Sequence, residues 1–204
     1  MPSSTTAARR SRVRPAGMPS PWGMFFQGFL KHPVMVGSII PSSDRLIRKM
    51  LAPVDWSTCK VFVEYGPGVG TFCRPILERM APDAILIAID TNPDFIGYLN
   101  HTITDSRFVA VHGSAADVEK IVAQHGHDHA DYVLSGLPFS TLPPGVGQEI
   151  GDATHRVLRT DGAFLVYQFS PKVKDFLTPN FSDIDHDMEW WNVPPAQLYW
   201  AWKR

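Results

Sequence analysis

Several features are scarce in this chain of 204 residues, and each scarcity excludes a class of protein. Its two cysteines, Cys59 and Cys73, are too few for a disulfide framework and indicate a reducing compartment. No apolar run reaches the roughly 18 residues of a membrane-spanning helix, and no apolar core of a signal peptide follows the N-terminus. The net charge of −1 gives no uniformly basic face for duplex nucleic acid. The sequence therefore predicts a cytoplasmic globular protein without a nucleic-acid partner.

The charges that are present are unevenly distributed. Residues 1–50 hold eight Lys or Arg and one acid, a balance of +7, so the rest of the chain carries −8. Residues 1–19 are rich in Ser, Thr, Ala, Pro and Arg, which predicts a disordered basic tail. This asymmetry indicates that the N-terminal part meets an anionic surface.

An aromatic helical face follows the basic tail. Bulky apolar side chains at helical spacing within residues 20–31 predict an amphipathic helix, although two glycines weaken it. Four arginines precede it, as is typical of a helix lying on a membrane. We expect residues 9–31 to bind the anionic inner face of the cytoplasmic membrane, peripherally; the alternative is that the face packs on its own domain. Its members are Trp22, Phe25, Phe26, Phe29 and Leu30.

The chain is organised around a glycine turn that follows a buried strand. Residues 61–63 are apolar and β-rich, and Gly66, Gly68 and Gly70 follow, ahead of a segment with helical character. Glycines there let the backbone turn tightly and approach a ligand closely. The spacing G-x-G-x-G differs from the dinucleotide fingerprint G-x-G-x-x-G.

Two acids at predicted strand ends define the expected ligand. Glu64 stands where a pyrophosphate would lie and repels it, but suits a cation such as the α-amino group of methionine. Asp90 ends the next strand, where an acid accepts both ribose hydroxyls of an adenosine. Together they favour an adenosine with a positive amino-acid tail and no phosphates, which is S-adenosylmethionine. The alternative is a ligand-free α/β turn.

Strand and helix signals alternate from residue 60 onward. Strands are predicted at 60–64, 84–89, 107–112, 131–135 and 162–169, and helices at 70–80, 93–103, 114–124 and 146–158. This predicts a doubly wound, mostly parallel α/β sheet over residues 53–204, closed by a hairpin over 182–204, with an N-terminal helical extension over 20–52. Ligands in such sheets bind beyond the carboxyl ends of the strands. The predicted cofactor residues are Ser38, Glu64, Gly66, Gly68, Gly70, Asp90, Thr91, Gly113, Ser114, Ala115 and Ser135.

Three motifs carry a family resemblance. They are Gly37-Ser38-Ile39-Ile40-Pro41-Ser42-Ser43, Glu64-Tyr65-Gly66-Pro67-Gly68-Val69-Gly70 and Ser135-Gly136-Leu137-Pro138-Phe139. Over residues 20–204 the chain resembles bacterial phospholipid N-methyltransferases, which are Rossmann-like class I methyltransferases similar to rRNA adenine dimethyltransferases. The resemblance implies stepwise methylation of phosphatidylethanolamine to phosphatidylcholine. Two departures from the rRNA enzymes weigh against RNA: Ser135-Gly136 replaces their polar Asn or Asp, and their helical C-terminal domain has no counterpart in this sequence.

The expected reaction is direct displacement at a sulfonium methyl by a neutral amine. An ammonium with a pKa of about 10 is neutral in roughly one molecule in a thousand at pH 7, so the proton must be removed. The candidates for positioning the amine are Tyr65 and the carbonyls of Ser135 and Gly136, with Tyr167 as a further one. The predicted substrate side comprises Leu137 and Phe139, with Lys31, Arg45 or Lys172 holding the lipid phosphate.

Two other functions stay open from the sequence. One is a soluble methyltransferase of a small-molecule or protein amine, and the other is a membrane-surface module that binds the cofactor only as a sensor. The histidines in residues 125–129 resemble a metal cluster, but they fall in a loop with no matching Cys/His set. Alternating acids in residues 183–187 fit a solvated strand face, so no metal is predicted.

Overall fold

A seven-stranded sheet with helices on both faces forms the described part of the chain. The computed structural model describes residues 44–139, 142–169, 173–192 and 195–204. The strands are β1 (Val61–Tyr65), β2 (Ile85–Asp90), β3 (Phe108–His112), β4 (Ala130–Ser135), β5 (Leu158–Gln168), β6 (Asp183–Glu189) and β7 (Ala196–Trp202). The helices are α1 (Asp44–Leu51), α2 (Cys73–Leu77), α3 (Pro93–Thr102), α4 (Val118–Gln124), α5 (Val146–Val157) and α6 (Lys174–Leu177). The predicted tail and aromatic helix, Lys31, Ser38 and Lys172 lie outside the described residues.

The strand order is β3-β2-β1-β4-β5-β7-β6. Strands β1 to β5 pair in parallel. Strand β7 is antiparallel to both β5 and β6, so β6 runs in the same direction as the first five. The predicted doubly wound, mostly parallel sheet and its closing hairpin are confirmed. The order reverses between β1 and β4, and a crevice opens beyond the carboxyl ends of the strands at such a point.

The central strands are buried on both faces. Every residue of β1 and of β4 is buried, as expected for parallel strands covered by helices on each side. Successive side chains point to opposite layers. Phe62 packs in the layer that contains α1 and α2, whereas Val63 and Tyr65 pack in the layer that contains α4 and α5. This alternation decides below which predicted residues reach the crevice.

Two helices differ from their predicted bounds for local reasons. The helix predicted at 70–80 is only Cys73–Leu77, because residues 67–70 form a turn in which Gly70 N donates to the Pro67 carbonyl at 2.8 Å. The helix predicted from residue 114 begins as a 3-10 turn at Ala115–Asp117, which Ser114 caps by accepting from Ala116 N at 3.2 Å.

Strand β5 starts earlier than predicted. It begins at Leu158 rather than at residue 162, and its pairing with β4 shifts register between Ala130 and Tyr132. Asp161 lies in this irregular stretch with a φ of 61°, a left-handed conformation that a side chain rarely adopts. The bulge ends before the buried part of the strand, so it leaves the carboxyl end of β5 in register.

Helix α1 packs against the antiparallel side of the sheet. Leu46 and Met50 are fully buried, and the indole N–H of Trp200 in β7 donates to the Met50 carbonyl at 2.9 Å. In the part of the chain that the structure describes, no helix combines the length and apolarity needed to cross a bilayer.

Candidate active site

The glycine turn after β1 forms the floor of the candidate site. Gly66, Gly68 and Gly70 have φ angles of 63°, 54° and 79°, a region that only glycine adopts at little cost. A Cβ atom on Gly66 would lie 2.9 Å from Leu137, and one on Gly70 would lie 2.7 Å from Leu99. Any side chain at these two positions would therefore collide with packed leucines, in addition to requiring an unfavourable φ.

Asp90 joins the second strand to this turn. Its carboxylate accepts from Gly68 N at 3.3 Å and from Asn92 N at 2.8 Å. Burial raises the pKa of Asp90, while the hydrogen bonds from Asn92 and Gly68 oppose that rise. These contacts hold the carboxylate at the end of β2 against the glycine turn, and its role toward the ribose hydroxyls stays a prediction.

Glu64 lies beneath the turn and is only 3% exposed. The Cys73 thiol donates to its carboxylate at 3.1 Å. Burial raises the pKa of Glu64 from 4.5 to about 7, and the nearby negative charge of Asp90 adds to the rise. A cation entering beside Glu64 would favour the ionised carboxylate, so the residue fits a positive amino-acid tail.

The remaining cofactor residues predicted from the sequence lie along the ends of β2 and β3. Gly113 N donates to the Asp90 carbonyl at 3.0 Å, which holds the start of the Ser114 cap beside β2. Thr91 is exposed, and its carbonyl contacts the His112 ring at 3.1 Å. Ala115 is buried under the cap. These residues form one continuous edge with the glycine turn, and the role of each toward the cofactor stays a prediction.

The turn after β4 is tied to both neighbouring strands. Gly136 N donates to the Tyr65 carbonyl at 3.3 Å, and the Gln168 amide donates to the Leu137 carbonyl. Ser135 is fully buried, and its hydroxyl accepts from Leu137 N at 3.2 Å. The ends of β1, β4 and β5 therefore meet at one place. Ser135 contributes its hydroxyl to the shape of this turn.

Tyr65 points away from this place, which corrects the prediction that it positions the amine. Its ring is fully buried, its hydroxyl lies 3.1 Å from the Thr154 hydroxyl in α5, and burial raises its pKa. Because Glu64 faces α2, the next residue along the strand must face the opposite layer. The alternation of β1 was a signal in the sequence that excluded Tyr65 from the crevice.

Phe139 is likewise placed in the core and not on a substrate surface. It is 2% exposed, and its ring packs against Phe164 and Phe176 with centroid distances of 6.2 and 5.7 Å. Leu137 is half-buried and lies over Gly66, so it lines the glycine turn, and its contact with the substrate stays a prediction.

Tyr167, near the end of β5, is the predicted amine-positioning tyrosine that lies beside the turn after β4. A Cβ atom on Gly136 would come within 2.7 Å of its ring carbon Cζ and closer still to its hydroxyl. The ring stacks on Phe72 with a centroid distance of 5.0 Å. Phe72 is 1% exposed, so it packs behind the tyrosine ring in the core. The tyrosine hydroxyl and the Gly136 backbone thus meet at the turn after β4.

Comparison with known proteins identifies the family. No protein-family model matches the chain. It is 31% identical over 180 residues to an ornithine lipid N-methyltransferase of Singulisphaera acidiphila, covering 87% of this chain and 94% of that protein. The chain belongs to the same methyltransferase family.

Solved structures place the methyltransferase in a known fold. A Burkholderia thailandensis 1,6-didemethyltoxoflavin-N1-methyltransferase with bound S-adenosylhomocysteine aligns with a TM-score of 0.63 and 15% identity, over 94% of this chain and 92% of that one. A precorrin-6y C5,15-methyltransferase of Geobacter metallireducens aligns with a TM-score of 0.62 and 16% identity, over 80% and 90%. The predicted class I methyltransferase fold and S-adenosylmethionine as cofactor are confirmed.

Arg45 of the methyltransferase lies in α1, and its Nε donates to Glu189 at the end of β6 at 3.2 Å. Among the described residues its partner is therefore on β6, and it is not brought together with Asp90 or Gly136. Its side chain is still 62% exposed. No group of three or more His, Cys, Asp or Glu among the described residues is placed to hold a metal ion.

Cofactor binding to the methyltransferase is expected to release protons near neutral pH. With its pKa at about 7, Glu64 is largely protonated below pH 7 when no cation is present, so affinity should rise as pH rises through 7. The stability of the cofactor-free protein should change in the opposite sense. Between pH 4.5 and about 7 the folded carboxyl keeps a proton that the unfolded chain loses, so the free energy of unfolding falls as pH rises.

Calorimetric titration in buffers of different ionisation enthalpy measures this proton release. The matched control is Glu64→Gln, which keeps a polar group opposite Cys73 but does not titrate. An apparent enthalpy that depends on the buffer equally in both proteins would contradict the assignment to Glu64.

Proposed function

We propose that this methyltransferase transfers methyl groups from S-adenosylmethionine to the amino group of a membrane lipid. The observation that carries the proposal is the relationship to an ornithine lipid N-methyltransferase, because it extends over 94% of that protein and 87% of this one. The site supports it: the turn after β4 presents backbone carbonyls and a tyrosine hydroxyl, which accept hydrogen bonds from an amine.

The finer proposal is that the lipid is phosphatidylethanolamine, methylated stepwise through the mono- and dimethyl forms to phosphatidylcholine. It rests on the resemblance of the three sequence motifs to phospholipid N-methyltransferases. An ornithine lipid is the second candidate, favoured by the name of the relative. Both lipids offer a primary amine, so the same acceptors serve either. On this proposal the protein is peripheral on the inner face of the membrane, with residues 9–31 as an anchor.

The residues of the crevice have separate tasks in this reaction. Bound S-adenosylmethionine supplies an electrophilic methyl group on a positive sulfur. Asp90 holds the ribose, Glu64 compensates the amino-acid tail, and the glycine turn admits the ligand to the backbone. The carbonyls of Ser135 and Gly136 orient the N–H bonds of the amine, so that its lone pair points along the line of displacement.

The charges balance without a metal in the step. Bound S-adenosylmethionine would give up the methyl group and keep the electrons of its C–S bond, so the amine nitrogen would gain one N–C bond and the positive charge. One proton then leaves nitrogen, and the Tyr167 hydroxyl is the described side chain closest to Gly136 that can pass it to water. Each further methylation repeats the same requirement for a neutral amine.

The test is methyl transfer to a panel of amines, with products separated by mass spectrometry. The panel contains phosphatidylethanolamine and its mono- and dimethyl forms, an ornithine lipid, ethanolamine and a lysine peptide. We expect mass increases of one to three methyl groups in one of the two lipid classes. Transfer only to ethanolamine or the peptide would favour the soluble methyltransferase, and binding without any transfer would favour the sensor.

Replacing Gly136 by Ala should lower the rate of transfer with little loss of cofactor affinity. The added Cβ would collide with Tyr167, which cannot retreat easily because it is 9% exposed and stacked on Phe72. A displacement near 1 Å in a reacting group costs about 10²-fold in rate. Gly97→Ala in α3 is the matched control, since its Cβ would meet nothing within 4 Å. Equal rates in the two variants would remove Tyr167 from the amine site.

A further inference from the structure

Two exposed tryptophans stand out on the described surface. Trp190 and Trp191 are 70% and 76% exposed, and among the described residues they are the large hydrophobic side chains that are exposed to water. Isolated exposed apolar residues are common, but adjacent indole rings of this size are not. Contiguous exposed apolar surface with a polar rim marks an interaction site.

The tryptophans lie on the same edge of the sheet as the crevice. They directly follow β6, which runs parallel to β1, so its end points in the same direction as the glycine turn. In register, Gln197 pairs with Gln168 of β5, and the neighbouring Ala196 pairs with Glu189 of β6. We call residues 190–191, which follow the last residue of β6, the tip. The tip therefore starts level with Gln168, whose amide donates to the Leu137 carbonyl at the site.

The base of this tip is held firmly against α1. Arg45 Nε donates to Glu189 at 3.2 Å, and the Glu189 carboxylate also accepts from Trp191 N at 3.1 Å. Lys49 Nζ donates to the Met188 carbonyl at 2.8 Å and pairs with Asp187 at 2.8 Å. A tip fixed in this way loses little conformational entropy when it binds, which favours association.

In the ion pair between Arg45 and Glu189, the carboxylate is buried and the guanidinium is exposed to solvent. The Glu189 side chain is 2% exposed, whereas that of its partner Arg45 is 62% exposed. The surface beside the indoles therefore presents a guanidinium, which complements the phosphate of a lipid headgroup. Indole rings are enriched at the depth of the headgroups, because their apolar body and N–H group suit that boundary.

We propose that Trp190 and Trp191 insert into the headgroup region of a phospholipid bilayer and direct the crevice toward its substrate. The proposal rests on the proposed function, because a lipid substrate brings a bilayer to this edge of the sheet. The tip is separate in sequence from the predicted anchor at residues 9–31. It binds through apolar contact and a partly neutralised cation, so high salt weakens its binding less than it weakens binding through the arginines of the tail.

The first test is fluorescence quenching by vesicles of brominated phosphatidylcholine, using the full chain. Insertion places both indoles next to bromine, so Trp190→Phe with Trp191→Phe should remove a large part of the quenched signal. The matched control, Trp22→Phe, reports on the other predicted anchor. A double Phe variant that is quenched to the same extent as the wild type would overturn the proposal.

The second test is flotation with vesicles of phosphatidylethanolamine and phosphatidylcholine at low and high salt. Trp190→Ser with Trp191→Ser should weaken partition roughly ten- to a hundred-fold, and the double Phe variant should retain most of it. Sedimentation of the same variants detects a protein–protein role. A loss of self-association together with unchanged flotation would overturn the proposal in favour of contact with a second copy.

Membrane binding and methyl transfer are measured by separate experiments, so the failure of one proposal can be distinguished from the failure of the other. Flotation and quenching do not require turnover, so they support or overturn the docking surface even if no lipid is methylated. Conversely, methyl transfer to a short-chain soluble lipid amine tests the proposed function in the Ser variant, which leaves the crevice intact. Calorimetric binding of S-adenosylhomocysteine should be unchanged in that variant, which shows that its fold and crevice are intact. If this binding is lost together with flotation, quenching of the double Phe variant decides the proposal.

Discussion

Replacing Asp131 by Ala is expected to lower the free energy of unfolding by about 3–5 kcal/mol. The Asp131 carboxylate is 4% exposed and accepts from Lys60 N at 2.7 Å and from Val61 N at 2.8 Å. It also pairs with Arg159 at the start of β5. One side chain thus ties the amino ends of β1, β4 and β5 together, and its loss leaves buried donors without an acceptor.

Urea denaturation of Asp131→Ala measures the effect, and the chain supplies its own control. Asp83 pairs with the Lys60 side chain at 2.7 Å, but its side chain is 69% exposed. Asp83→Ala should cost far less than Asp131→Ala, because exposed ion pairs contribute little to stability. Similar losses in the two variants would show that the buried contacts of Asp131 do not hold the strands together.

Replacing Asp90 by Ala should weaken binding of S-adenosylmethionine by about ten- to a hundred-fold. A hydrogen bond to a charged group is worth roughly 1.5–3 kcal/mol, and each 1.4 kcal/mol is tenfold in affinity. The variant also loses the contact with Gly68 N that shapes the turn. Methyl transfer should therefore fall most at low donor concentration.

Calorimetric titration of Asp90→Ala is the measurement, with Asp94→Ala as the matched control. Asp94 is an exposed acid in the first turn of α3, four residues from Asp90. It should leave the affinity within a small factor of the wild type. Unchanged affinity in Asp90→Ala would place the ribose elsewhere.

The centre of the sheet could be predicted from the sequence because its strands are buried on both faces. A sequence in which near-continuous apolar runs alternate with segments of helical periodicity is compatible with few folds other than a parallel α/β sheet. The predicted strands match the observed ones to within a few residues. The bounds of α2 were missed because consecutive turns follow the glycines. The early start of β5 was missed because the bulge at Asp161 interrupts the apolar pattern.

The chemistry of the site could be predicted only in part. Glu64, Asp90 and the three glycines follow from one glycine turn and from where strands end, and the structure brings them together. Tyr65 is adjacent to the turn in sequence, but strand alternation directs its side chain to the opposite layer, against Thr154. The contact between Gly136 and Tyr167 joins residues 31 positions apart in the sequence, and no local pattern reveals it.

The tip formed by Trp190 and Trp191 could not be recognised as a surface from the sequence. Aromatic residues in a strand-rich tail most often belong to the core, as Tyr199 and Trp200 of β7 do. Only the pairing of β6 with β7 shows that the two indoles follow the last paired residue and are left outside.

The central claim is that the crevice acts on the amine of a lipid within a membrane. The most direct measurement is the transfer of a labelled methyl group to mixed vesicles of phosphatidylethanolamine, an ornithine lipid and phosphatidylcholine, with ethanolamine present as a soluble competitor. We predict label in the lipid fraction, strongly reduced in Asp90→Ala and retained in Asp94→Ala. Label confined to the water-soluble fraction, or lipid label that is equal in the two variants, would contradict this account.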